Sequence, residues 1–159
     1  MDKIFVSDNV CYPRSQPVQF VKLHNNAIVP EYKKNGDSGF DLYGIETVTL
    51  QPGEVAIIHT GIAIAIPEGF EVQIRMRSGA SLTTPLIIPN APATIDSGYR
   101  GELGIIVRNI GNSEYTVKKG ERIVQGVLMP VIRAQFCEVK ELPKSDRGSN
   151  GYGSTGNFG

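Results

Sequence analysis

The chain has 159 residues, which is enough for one domain whose core needs no disulfide or metal to hold it. Lys and Arg together number 16, as do Asp and Glu, so the formal net charge is zero and argues against a general nucleic-acid binder. The first residues carry no signal pattern and no apolar run reaches membrane length, so we expect a cytoplasmic protein with no nucleic-acid or membrane partner.

The apolar residues follow the period of two that is typical of strands. In residues 54–67, Ile62, Ile64 and Ile66 alternate with alanines, which predicts a strand with one large-residue face. Further short strands are predicted at 18–23, 71–77, 103–109, 115–120, 122–132 and 134–140. Residues 78–84 suit one short helical turn.

The separators between these strands are turn-like, for example QPGE and IGNSE. Many short strands at near-regular spacing predict an all-β sandwich, barrel or jelly roll. We therefore expect a single β-domain over residues 1–142 and a flexible, glycine-rich C-terminal arm over 143–159. Cys11 and Cys137 have neither CxxC nor zinc spacing, so we expect free thiols in a reducing compartment.

Five segments are richer in Gly, Ser, Asp and Arg than strand packing requires. They are GDSGFDLYG (36–44), RMRSGAS (75–81), NAPATIDSGYRGELG (90–104), GERIVQG (120–126) and RGSNGYGSTGNFG (147–159). Each contains side chains that can act on a ligand as well as glycines that let the backbone approach one.

The second segment offers a phosphate site. Arg77 supplies a guanidinium, Ser78 a hydroxyl, and Gly79 a backbone that a ligand can approach closely. The alternative interpretation is an exposed strand end.

In the third segment, Asp96 precedes Ser97-Gly98, which is also the composition of an ordinary turn. A carboxylate at the mouth of a hairpin can nevertheless act as a general base on water, and Tyr99 can stack on a sugar or a base. Strands that splay around such a turn offer unpaired backbone groups to the edge of a base.

The remaining segments are less specific. Asp41 lies between two apolar residues, so it is either solvated or able to orient metal-bound water. Gln125 is either a solvent-facing strand residue or an amide donor to a ligand. His24 and His59 lie in no ligand-spaced cluster, and no P-loop pattern is present in the sequence.

Taken in order, the five segments resemble the five motifs of the homotrimeric dUTPase family, from residue 37 to 156. The resemblance implies a jelly-roll subunit, a threefold trimer with sites shared between subunits, and Mg²⁺-dependent hydrolysis of dUTP to dUMP and pyrophosphate. Such a reaction keeps uracil out of DNA and supplies dUMP for thymidylate synthesis.

The resemblance also assigns roles to residues. Asp96 is the implied general base, and Tyr99 packs under the deoxyribose. The nucleoside pocket is implied to include Asn90, Ala93, Thr94, Ile95 and Gly104, and the phosphate groups are implied to meet Arg77, Ser78, Gly79 and Gln125.

The metal and the tail complete the implied site. Mg²⁺ is held mainly by the triphosphate and reaches Asp41 through water. The fifth segment closes over the site of another subunit with Arg147, Tyr152, Gly153, Ser154 and Thr155. Ala93 stands where the family commonly has glycine.

Two other functions fit parts of the sequence. A dCTP deaminase shares the Arg-Ser segment, but it needs a glutamate placed to add water to cytosine. A non-enzymatic interaction protein with a regulatory partner of unknown identity predicts decayed motifs, whereas Asp96, Arg77 and Gln125 are all present.

Overall fold

A computed structural model of the chain describes residues 5–7, 10–12 and 15–150, with side chains from residue 15 onward. In these residues short strands alternate with turns, and one helical segment occurs. The elements are β1 (Phe5–Ser7), β2 (Val10–Tyr12), β3 (Gln19–Lys22), β4 (Phe40–Leu42), β5 (Val48–Leu50), β6 (Val55–Ala65), β7 (Phe70–Met76), α1 (Ser78–Thr83), β8 (Leu86–Ile87), β9 (Ala93–Asp96), β10 (Glu102–Asn109), β11 (Tyr115–Val117) and β12 (Val124–Pro130).

Two antiparallel sheets of four strands form the body of the molecule. One has the order β3-β6-β10-β8 and the other β4-β12-β7-β9, while β1 pairs with β2 and β5 with β11. The core lies between the two large sheets, because its buried side chains come from both of them. This arrangement confirms the predicted all-β fold.

Alternation along the strands decides which side chains enter the core. In β10, Leu103, Ile105 and Val107 are buried, and in β7 the buried pair is Val72 and Ile74. Burying one such aliphatic side chain contributes about 1.5–3 kcal/mol. The residues between them face outward on both strands, which leaves the outer faces free to carry polar chemistry.

Most predicted strands are present, with boundaries within a few residues, and α1 confirms the helical turn predicted at 78–84. The strand predicted at 134–140 is wrong, because those residues carry no regular structure and are exposed. Their apolar alternation is real, but no strand edge in the described part of the chain pairs with them. Phe136 is 95% exposed as a result.

α1 has six residues, and the described part of the chain contains no helix with the length and apolarity to cross a lipid bilayer.

Candidate active site

A cavity of about 240 Å³ opens where β9 and β10 are joined by the turn at 97–101. The two strands belong to different sheets, so in the described structure they do not pair with each other and instead stand apart around the cavity. The structure brings seven of the predicted site residues together there, namely Asn90, Ala93, Thr94, Ile95, Asp96, Tyr99 and Gly104.

The floor of the cavity is apolar and was not predicted. It is made by Ile74, Ile88, Ile105 and Ile106, which come from three separate parts of the chain. Ile74, Ile105 and Ile106 lie in strands that the sequence predicts, but strand alternation does not distinguish a core residue from one that lines a pocket. An apolar lining with a few polar groups suits a heterocycle.

The turn at the mouth of the cavity is held by hydrogen bonds of its own. The Tyr99 amide donates to Asp96 O at 3.0 Å, and the Tyr99 hydroxyl donates to Glu102 O at 2.9 Å. Arg100 Nη1 donates to the carbonyl oxygens of Ser97 (2.6 Å) and Tyr99 (2.7 Å). Tyr99 therefore stands in a defined orientation although its side chain is half-exposed.

A second polar cluster lies near the far end of β7. Asp41 is buried, and its Oδ1 is 3.0 Å from Arg77 Nε, while its Oδ2 is 2.8 Å from Arg122 Nη1. Arg77 Nη1 also donates to Arg122 O at 2.9 Å. Two of the three guanidinium nitrogens of Arg77 are thus used within the protein, which leaves Nη2 to face an anion.

The structure decides one alternative for Asp41, which is paired and buried rather than solvated. Arg122 was missed by the sequence reasoning. It lies in the fourth segment three residues before Gln125, but a lone arginine in a strand-and-turn pattern also fits a solvated surface position.

Gln125 lies beside this cluster, because it pairs with Asp41 on β4 and with Arg75 on β7. Its Nε2 donates to Met76 O at 3.3 Å. A Cβ at Gly39 would overlap Gln125 Oε1, so the first segment needs a glycine there to admit this side chain. The first and fourth segments therefore fit together as one unit.

The other predicted phosphate residues follow β7 directly. Arg77 precedes α1, and Ser78 and Gly79, both exposed, begin that helix without a side-chain cap. Arg147 lies in an exposed turn, where its Nε donates to Asn150 O at 3.0 Å, and it does not line the cavity. Tyr152, Gly153, Ser154 and Thr155 lie outside the described residues.

Asp96 and Arg77 lie near opposite ends of β7. Asp96 pairs with Glu71 near the start of this strand, whereas Arg77 follows its last residue. Positions 71 and 77 are six residues apart, which at about 3.3 Å per residue places the backbones of Asp96 and Arg77 roughly 20 Å apart. One chain therefore holds Asp96 and Arg77 too far apart to act on the same phosphate.

The chemistry around Asp41 fits a hydrated Mg²⁺ ion. This ion keeps much of its water shell and is usually held by one or two carboxylates together with substrate phosphates. Both oxygens of Asp41 already accept bonds from arginines, but each carboxylate oxygen retains a lone pair that can accept a bond from water. Asp41 thus fits an outer-shell contact to an ion that a triphosphate carries.

Fold and site together define a small antiparallel β-protein with a hairpin cavity that has an apolar floor, and with a separate cluster in which Asp41 pairs with Arg77 and Arg122. The family model for dUTPase matches residues 25–156, and the chain belongs to this family. A deoxyuridine 5'-triphosphate nucleotidohydrolase of Helicobacter pylori (strain P12) is 40% identical over 139 residues, covering 87% of this chain and 96% of that protein.

The fold is also similar to solved structures of dUTPases. A dUTPase of Staphylococcus bacteriophage 80alpha with dUPNHPP superposes with a TM-score of 0.83 at 34% identity, covering 89% of this chain and 99% of that chain. A mutant dUTPase from phage phi11 of S. aureus, described with a structural Mg(II) ion, gives a TM-score of 0.76 at 30% identity, covering 81% and 100%.

Proposed function

We propose that this protein is a dUTP diphosphatase, which hydrolyses dUTP to dUMP and pyrophosphate. The observation that carries the proposal is the hairpin cavity, in which an apolar floor, an exposed carboxylate and an aromatic side chain meet between two strands that do not pair with each other. Family membership and the nucleotidohydrolase name of a relative that is 40% identical support the same reaction.

Backbone groups select the base in this proposal. β9 is an edge strand, and β10 pairs with β8 only through Arg108 and Asn109, so both strands present backbone donors and acceptors toward the cavity. A fixed set of such groups rejects cytosine, whose edge reverses the pattern, because the wrong base leaves buried polar groups unpaired. The close walls exclude the methyl group of thymine.

Asp96 is the general base. It removes a proton from a water molecule, whose oxygen attacks the α-phosphorus, and the bond to the oxygen that bridges to the β-phosphate breaks to release pyrophosphate. Tyr99 packs under the deoxyribose and leaves no space for a 2′-hydroxyl. The exposed position of Asp96 on β9 supports this role, since a base must reach both water and substrate.

The phosphates meet the arginine cluster. Arg77 Nη2, the Ser78 hydroxyl and the Gly79 backbone bind phosphate oxygens, and Gln125 contacts the α-phosphate or the attacking water. A bound Mg²⁺ would neutralise triphosphate charge, with Asp41 holding one of its water molecules. Asp41 and Arg122 fix the direction in which Arg77 donates.

The separation of roughly 20 Å between Asp96 and Arg77 supports a homotrimer with shared sites, since a second chain must supply the missing half. Residues 143–159 form an arm that closes over a neighbouring subunit's site with Arg147, Tyr152, Gly153, Ser154 and Thr155. The exposed free thiol of Cys137 suits the reducing conditions of the cytoplasm.

A nucleotide panel assayed with and without Mg²⁺ tests the proposal. We expect dUMP and pyrophosphate from dUTP, with dCTP, dTTP and UTP turned over more slowly by roughly a hundredfold or more, because cytosine leaves polar groups unpaired and the thymine methyl and the 2′-hydroxyl lack space. Ammonia released from dCTP would replace the proposal with a deaminase. Absence of turnover of every nucleotide, together with recovery of a bound protein, would favour the interaction protein.

A further inference from the structure

The ladder between β6 and β10 is irregular beside the cavity. Glu102 pairs with Ala63, but Gly104, two residues further along β10, pairs with His59, four residues back along β6. β6 therefore bulges by two residues opposite Leu103. A bulge exposes backbone groups that the ladder cannot satisfy, so they need other partners.

The side chain of Glu102 supplies one such partner and also contacts a side chain of the bulge. Its Oε1 accepts a hydrogen bond from the Gly61 amide at 2.6 Å, and its Oε2 lies 2.9 Å from His59 Nδ1. Thr60 completes the bulge by donating from Oγ1 to Leu103 O at 2.8 Å. One carboxylate thus fastens the start of β10 to β6.

The main chain of the same residue holds Tyr99. The Tyr99 hydroxyl donates to Glu102 O, and the ring lies so close to Gly101 that a Cβ there would overlap it. Tyr99 therefore packs against Gly101 and bonds to Glu102. The position of Glu102 is fixed in turn by the contacts of its side chain with β6.

We propose that Glu102 is a positioning residue for sugar selection. It transmits the fixed position of the β6 bulge to the Tyr99 hydroxyl and so holds the tyrosine ring where the deoxyribose packs. The proposal rests on the proposed role of Tyr99 in excluding the 2′-hydroxyl. It extends the site to His59, Gly61 and Glu102, none of which lines the cavity.

A purely structural role for Glu102 makes a different prediction. If Glu102 only stabilised the fold, its loss would lower turnover of every nucleotide by the same factor. A positioning role instead changes the ratio of kcat/KM for dUTP to kcat/KM for UTP, because a displaced ring opens space for the 2′-hydroxyl. The ratio is therefore the quantity to measure.

Three variants test the role of Glu102. Glu102→Ala removes both contacts of the side chain, and Glu102→Gln keeps an acceptor for the Gly61 amide. Glu102→Asp keeps a carboxylate that is too short to reach both partners. Glu54→Ala is the matched control, since Glu54 also accepts a backbone amide bond, from Gln51 at 2.7 Å, just before the start of β6 and away from the bulge. Glu102→Asp retains the charge if Glu102→Ala does not fold.

We expect the dUTP-to-UTP ratio to fall about tenfold in Glu102→Ala and Glu102→Asp, to change little in Glu102→Gln, and to be unchanged in Glu54→Ala. Fluorine NMR of 3-fluorotyrosine protein, with Tyr99 assigned through Tyr99→Phe, gives a second readout. The Tyr99 resonance should move in the Glu102→Ala and Glu102→Asp variants and stay in place in Glu54→Ala.

The two readouts separate the two proposals. If the wild type does not hydrolyse dUTP but the Tyr99 resonance moves in Glu102→Ala, the diphosphatase assignment fails and the positioning contact stands. If the wild type hydrolyses dUTP and neither the ratio nor the resonance changes in the folded variants, the role of Glu102 is overturned.

Discussion

Asp96 lies directly opposite Glu71 in the ladder between β9 and β7, so two carboxylates share the outer face of one sheet. Only Asp96 lines the cavity. Glu71 Oε1 instead accepts a hydrogen bond from Gln73 Nε2 at 2.6 Å, and Gln73 Oε1 accepts one from Arg75. Neighbouring carboxylates therefore have different partners, and their roles can be separated by mutation.

Asp96→Asn should lower kcat by about 10²–10⁴, the range expected for loss of a general base, without changing the affinity for a non-hydrolysable dUTP analogue. Glu71→Gln is the matched control and should keep kcat within a few-fold. Steady-state kinetics and a binding titration check both variants. Near-normal turnover in Asp96→Asn would remove Asp96 from the catalytic role.

Mixed assemblies should reveal whether Asp96 and Arg77 act from different chains. Co-refolding equal amounts of Asp96→Asn and Arg77→Ala should restore about one quarter of wild-type activity, because one site in four then combines an intact residue of each kind. Each variant alone should be almost inactive.

Wild type co-refolded with the Asp96→Asn/Arg77→Ala double variant is the control for mixing. It should also give about one quarter of full activity if sites are shared, and about one half if each site lies within one chain. No recovery in the first mixture together with one half in the second would contradict shared sites.

Arg122→Ala should weaken the phosphate side of the site. The buried carboxylate of Asp41 loses the partner of its Oδ2 in this variant, which should lower the free energy of unfolding by about 1–3 kcal/mol. Arg77, which bonds to the same carboxylate, is then held less firmly. We expect kcat/KM for dUTP to fall about tenfold or more, with partial recovery in Arg122→Lys. A folded Arg122→Ala variant with unchanged kcat/KM would contradict this.

Removal of residues 147–159 should leave the folded body intact. In the described part of this segment the hydrogen bonds are local, such as that from Arg147 Nε to Asn150 O, so Tm should change by little. Turnover of dUTP should drop severely, because the arm is proposed to supply groups that bind the nucleotide. Normal turnover in the truncated protein would make this segment dispensable.

The pH dependence of stability in acid should show how much the Glu102 carboxylate stabilises the folded protein. Burial raises the pKa of this carboxyl, but hydrogen bonds from the Gly61 amide and His59 outweigh burial, so the pKa lies below its usual value. Because the pKa is depressed in the folded protein, the stabilisation is present above the unfolded value of about 4.3 and is lost as pH falls through the folded value.

The difference in Tm between wild type and Glu102→Gln should therefore be steady near neutral pH and shrink below about pH 4. Thermal unfolding of both proteins across about pH 3 to 8 measures it. A difference that grew as the solution became more acidic would mean that the carboxylate is not stabilised by its neighbours.

The hairpin cavity could be predicted because its polar residues are close in sequence, where turn chemistry places Asp96 and Tyr99 on one rim. The cluster at Asp41 could not be derived from residue patterns, since its partner Arg122 lies 81 positions away and only the β4–β12 ladder brings them together. The prediction of a strand at 134–140 was wrong because these residues have no pairing strand in the described part of the chain. Alternation of apolar residues indicates which face of a strand is buried, but it does not show that a neighbouring strand is available to pair with it.

The register of β9 carries a consequence for the design of the protein. Ile95 packs against the core while Thr94 and Asp96 face outward, and a slip of one residue would exchange the two faces. The packing of Ile95 opposite Val72 thus selects the alignment in which the carboxylate of Asp96, the proposed general base, faces solvent. The side chain of Ile95 therefore determines both how β9 packs on the core and which face of the strand carries Asp96.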